Sequence, residues 1–148
     1  MNDNRHQDGI YPFPAGMQSR EIETNGAEIH VRVGGHGPAV VMLHGFGTTG
    51  DMWGHLATAL IADHTVIAPD LRGLGLSSKP DGGYDKKNQA ADVWGVLDAM
   101  GVRTIELVIR CVADNVEDAI IPDCGHWITE EQPQATTDLV VDFLHRPR

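Results

Sequence analysis

The stretch Ala39-Val40-Val41-Met42-Leu43-His44-Gly45-Phe46-Gly47 decides the fold. Residues 39–43 are apolar without interruption, the mark of a strand buried on both faces rather than one alternating between core and water. Such a strand needs covering layers on both sides, and the chain goes on to supply them. A helix is expected from about Asp51, with Trp53, Leu56, Ala57 and Leu60 recurring at helical spacing on one face. Thr65-Val66-Ile67-Ala68 is the next buried strand, closed by Pro69-Asp70 and followed by a glycine-rich loop from Leu71 to Tyr84. A second helix places Ala90, Val93, Trp94, Leu97 and Met100 on one face and stops at Gly101.

Thr104 to Val108 reads as a further strand, and Asp118-Ala119-Ile120-Ile121 as another. Roughly nine residues separate them, fewer than the dozen or so that a parallel crossover needs. Pro133 then opens a last helix with Thr136, Leu139, Val140 and Phe143 on one face.

Upstream, residues 1–18 read as a flexible leader, with Pro12 and Pro14 bracketing Phe13. Arg20 to Thr24 and Ala27 to Val33 are two strands joined by Asn25-Gly26, the strongest short hairpin signal. Gly34 to Pro38 is a turn; it lacks the spacing and the following helix of a dinucleotide fingerprint. The expected architecture is one α/β domain over residues 19–148. Its sheet is mostly parallel, with an N-terminal antiparallel hairpin and helices on both faces.

Bulk properties narrow the partners. The 148 residues are 41% apolar and 22% charged, ordinary for a globular protein. A formal net charge of −10 argues against nucleic acid or an anionic membrane as a partner. No apolar run approaches the roughly 20 residues that span a bilayer. Met1 to Gly9 is polar, without a signal-peptide core. Two cysteines, Cys111 and Cys124, make no disulfide framework, and together these features lead us to expect a cytoplasmic protein with reduced thiols. The eight histidines include no helical His-x-x-x-His pair, and no cofactor motif occurs, so neither metal nor cofactor is expected.

Four blocks resemble the α/β-hydrolase superfamily, closest to its epoxide-hydrolase and haloalkane- or haloacid-dehalogenase branch. They are the Asn25-Gly26 hairpin with Gly35 to Pro38; Leu43-His44-Gly45-Phe46-Gly47 followed by Trp53; Ile67-Ala68-Pro69-Asp70-Leu71-Arg72-Gly73-Leu74-Gly75-Leu76-Ser77 followed by Gly83-Tyr84-Asp85; and Cys124-Gly125-His126-Trp127 followed by Glu130, Glu131 and Pro133. They occur in family order along nearly the whole chain after the leader. The resemblance also exposes a gap. The family's nucleophile sits on a tight turn flanked by small residues after the strand matching Thr104 to Val108. Here Ile109-Arg110-Cys111-Val112-Ala113 follows, and no Gly-x-Ser-x-Gly, Gly-x-Asp-x-Gly or Gly-x-Cys-x-Gly occurs. The helical cap and the strands bearing the third triad member are missing too, as though a large internal segment had been deleted near Ile109.

By this resemblance the backbone N–H of Phe46 belongs to an oxyanion hole, and His126 is the general base. His44, Gly45, Gly47 and Trp127 border the substrate. Cys111 falls at the nucleophile register; it reads either as an attacking thiol or as a core cysteine at the junction, with the branched Ile109 crowding the turn. Asp70, Arg72 and Ser77 read as structural. The implied function is hydrolysis of a small organic molecule (an epoxide, a carbon–halogen compound or an ester), weak or lost for want of the nucleophile. The alternative is a non-catalytic chain that self-associates through an open sheet edge.

Overall fold

Asn25 and Gly26 adopt φ of 48° and 72°, the backbone of a two-residue hairpin turn whose twist matches its strands. β1 (Gln18–Thr24) and β2 (Ala27–Gly35) accordingly pair antiparallel, Thr24 facing Ala27 and Gln18 facing Val33. The computed structural model describes residues 12–108, 121–125 and 128–146. Among them, β3 (Ala39–Met42), β4 (Thr65–Pro69) and β5 (Ile105–Val108) complete a five-stranded sheet in the order β1-β2-β4-β3-β5.

The sheet corrects the expectation of a mostly parallel architecture. β3 runs parallel to β4 and to β5, but β2 meets β4 antiparallel, Val31 facing Pro69 and Gly35 facing Thr65. The antiparallel ladders register seven and five residue pairs, the parallel ones three and four. The sheet is mixed, with its longer pairings antiparallel. The reason is β2: its nine residues bind β1 along one edge and β4 along the other. The hairpin is thereby a wing of the main sheet rather than an appendage to it.

β3 shows why its sequence is apolar throughout. Ala39 and Val41 pack on one face with Ile29, Val31, Val33 and Leu97, whereas Val40 and Met42 pack on the other with Trp53, Leu56, Leu60 and Leu144. α2 (Lys86–Ala99) covers the first face, and α1 (Gly54–Leu60) and α4 (Pro133–Leu144) cover the second. A 3₁₀ turn, Gly50–Trp53, leads into α1, capped by the Thr49 hydroxyl, which accepts the Asp51 N–H. All four apolar residues expected on the α1 face are buried.

α2 turns a different face inward. Asp92, Val96 and Leu97 are buried, while Trp94 is 65% exposed and Ala90 faces solvent. The cause is electrostatic: Arg72 draws Asp92 inward and rotates the helix away from its purely apolar stripe. In α4, Thr136, Thr137 and Leu144 are buried, with Val140, Val141 and Phe143 packed at the same core. Phe13 packs there too, beneath the Arg32 guanidinium at 5.4 Å from the ring centre. Of the strand expected at 118–121, only Ile121 lies within the described residues, and it is not in a strand. Among the described residues, no helix is long and apolar enough to cross a membrane.

Candidate active site

The topology itself marks a location. From β3 the chain passes through α1 to β4 on one side; from β4 it passes through α2 back across β3 to β5 on the other. In an open α/β sheet, ligands settle outside the carboxyl ends of strands at such a switch point. The loop after β3 (residues 43–49) and the loop after β4 (residues 70–84) open there. The exit from β5 begins at residue 109, outside the described residues.

His44 ties these two loops together. Its ring is buried, Nε2 accepts the Leu71 N–H at 2.9 Å, and Nδ1 donates to the Gly45 carbonyl at 2.9 Å. These roles require the neutral imidazole protonated at Nδ1. Burial pushes the His44 pKa below its ordinary value, which favours that same form. His44 thus positions the turn rather than presenting its ring to a ligand. Beyond it, Gly47 takes φ of 81°, and Thr48 Oγ1 donates to the Gly45 carbonyl at 3.1 Å. Phe46 is 94% exposed, and no hydrogen bond among the described residues uses its N–H.

Asp70, wholly buried, is the second tie. Its Oδ1 accepts the Gly50 N–H at 2.7 Å and Arg32 Nη1 at 3.2 Å, and its Oδ2 accepts the Leu76 N–H at 2.9 Å. One carboxylate therefore fixes the turn leading into α1, the hairpin strand β2 and the loop after β4. Gly75 must be glycine at this contact: its φ is 53°, and a Cβ would lie 2.1 Å from Asp70 Oδ2. The Asp70 carbonyl accepts Ser77 Oγ at 2.6 Å, and the same Oγ accepts the His30 N–H at 2.9 Å. Arg32 also pairs with Asp51 at 2.8 Å.

A buried ion pair closes the outer end of this loop. Arg72 Nε and Nη2 each donate to one oxygen of Asp92 at 2.5 Å, and Nη2 also donates to the Asn25 carbonyl at 3.0 Å. The Asp92 hydrogen bonds hold the Arg72 pKa above its already high value. Asn25 Nδ2 donates to Asp92 Oδ1 at 3.0 Å, so the hairpin turn, the loop and α2 meet at one bidentate contact.

The remaining site segment is built more lightly. Gly125 N–H donates to Glu131 Oε2 at 2.7 Å across the short helix α3 (Ile128–Glu131), and Gln132 Nε2 donates to the Asp123 carbonyl at 3.3 Å. All four of these contact groups are at or near the surface. Burial and the neighbouring Glu131 charge push the Cys124 thiol pKa up, which keeps it protonated and a poor nucleophile.

Of the residues singled out from sequence, His44, Gly45, Phe46 and Gly47 stand together at the carboxyl end of β3. His126, Trp127 and Cys111 lie outside the described residues. Sequence reasoning missed the parts played by Arg32, Gly50 and Asp92. Only a carboxylate inside an otherwise apolar helical face could have signalled Asp92, and none of the local patterns points to the other two.

Residues 38–112 match the family model described as alpha/beta hydrolase fold. A fluoroacetate dehalogenase from Burkholderia sp. is 37% identical over 63% of this chain and 32% of its own length. A soluble epoxide hydrolase from Corynebacterium sp. (strain C12) is 39% identical over 57% of this chain and 29% of its own. The crystal structure of an epoxide hydrolase from Vigna radiata aligns with a TM-score of 0.60 and 34% identity, covering 62% of this chain and 31% of that one. The chain thus spans about a third of the length of the relatives it matches.

Proposed function

The chain belongs to the alpha/beta hydrolase fold family, and from that premise we propose that it carries part of a hydrolase site for a small organic substrate of the epoxide, carbon–halogen or ester class. The observation that supports this most is the turn held by His44, which leaves the Phe46 N–H uncommitted at the switch point. A fixed donor of this kind stabilises negative charge as it develops on a substrate oxygen. His126 acts as general base on water, and His44, Gly45, Gly47 and Trp127 border the substrate. Without a glycine-flanked nucleophile in the sequence, the covalent route is closed and turnover is slow. Cys111 is the one residue at the register where a nucleophile would stand.

The test is a panel of epoxide, haloacid and simple ester substrates, assayed with the intact chain and with His126→Ala and Cys111→Ala. Slow turnover abolished by His126→Ala and untouched by Cys111→Ala is the expected result. Turnover that survives His126→Ala would refute the assignment of the base.

A second reading, association without catalysis, is favoured by β5. It closes the sheet order among the described residues, with β3 its one strand neighbour there, and an unpaired strand edge invites a second chain. Absence of turnover across the panel, together with a concentration-dependent dimer in sedimentation, would select this reading over the first.

A further inference from the structure

We propose that Asp63, His64 and His145 form a binding site for one divalent ion of the zinc class, held by two imidazoles and one carboxylate. His64 Nδ1 lies 2.7 Å from Asp63 Oδ1, and His145 Nε2 lies 3.0 Å from Asp63 Oδ2. The three ligand atoms all fall within 4.8 Å of one another. The two rings are 5.6 Å apart and tilted by 31°, so both present a nitrogen to the same carboxylate.

Metal–nitrogen and metal–oxygen bonds of about 2.0–2.2 Å place the ligand atoms of a tetrahedral zinc site roughly 3.3 Å apart. A small closure of the His145 side chain brings the triangle into that range. The exposed position of His145, just past the last turn of α4, leaves it free to move. His64 is the fixed point: its side chain is 7% exposed, its N–H donates to the Leu60 carbonyl, and β4 begins at the next residue. Asp63 and His145 are half exposed, which gives an ion access and leaves one position for water, the usual fourth partner of a three-ligand zinc site. Imidazole with carboxylate selects zinc and its late-transition neighbours over calcium or magnesium, which prefer all-oxygen shells.

The place in the fold separates this site from the one proposed for hydrolysis. Asp63 and His64 precede β4 and Asp70 follows it, so the five-residue strand sets the two sites ~16 Å apart. A bound ion would clip the end of α4 to the start of β4, joining residues 82 positions apart in sequence.

Zinc alone, titrated into the intact, tag-free chain, tests the proposal by calorimetry and thermal unfolding. One zinc per chain and a higher Tm are expected, with both effects lost in His145→Ala and Asp63→Asn. No binding by the wild-type chain, or binding unchanged in His145→Ala, overturns it. Imidazole nitrogen resonances give a readout that does not depend on any variant folding. Zinc must move those of His64 and His145 and leave His36 in place, whereas a uniform response of all histidines overturns the site.

Discussion

The loops leaving β3 and β4 and the segment leading to His126 face the same site in the family's plan, yet they are held by different means. The first two are locked by buried groups: His44 on Leu71, Asp70 on Gly50 and Leu76, and Arg72 on Asp92. The segment 121–132 is held by an exposed carboxylate, Glu131 on Gly125, and by a surface amide on Asp123. Hydrogen bonds to charged groups strengthen where water is excluded, and breaking one there strands its partner. At the surface, water replaces the lost partner. The difference teaches that the half of the site stabilising charge is a rigid part of the fold, and that the half carrying the base is set by weaker, solvent-shared contacts.

The comparison can be broken at its strongest point first. Asp70→Ala removes three acceptor contacts and leaves Arg32 with Asp51 as its remaining carboxylate partner. A loss of about 3–5 kcal/mol in urea unfolding is expected, and a loss below about 1 kcal/mol would show that the front loops are not locked as argued. Arg72→Lys keeps the charge but cannot span both oxygens of Asp92. It should cost roughly 2–3 kcal/mol, read by the same unfolding curves.

A smaller effect depends on pH. His44 is neutral in the fold, with its pKa lowered by burial, whereas the unfolded chain takes up a proton near pH 6.5. Stability from this group is complete above that pH and falls as the pH drops toward the depressed folded value. The Tm of the wild-type chain should therefore fall more steeply between pH 7 and 5 than that of His44→Asn. Parallel slopes would remove His44 from the lock. The smallest change belongs to the other region. Glu131→Gln should cost about 1 kcal/mol or less while speeding hydrogen exchange at the Gly125 N–H, and a cost matching that of Asp70→Ala would erase the contrast.

Much of this architecture was legible in the sequence because its signals are local. Asn25-Gly26 announces its turn, the run 39–43 announces a strand buried on both faces, and Trp53, Leu56, Ala57 and Leu60 announce their helix face. Strand direction was not legible, since the pairing of β2 with β4 joins segments more than thirty residues apart and a period of two is the same in either direction. The inward face of α2 was misread because hydrophobic periodicity has no place for Asp92, whose burial depends on Arg72 in a distant loop. Within the site, the His44–Gly47 turn was legible as a glycine-flanked motif. The hub at Asp70 was seen only as structural, since its partners Arg32, Gly50 and Leu76 come from three separate segments. The grouping of Asp63, His64 and His145 escaped notice for the same reason: helical spacing rules see histidines four residues apart, not 82.

The sharing of Asp70 has a mechanical consequence. With one carboxylate gripping both Gly50 and Leu76, the two loops at this end of the sheet cannot gape independently. A molecule wedged against residues 45–50 would load the segment 74–77 through the same two oxygens, so the mouth must yield as a whole or not at all.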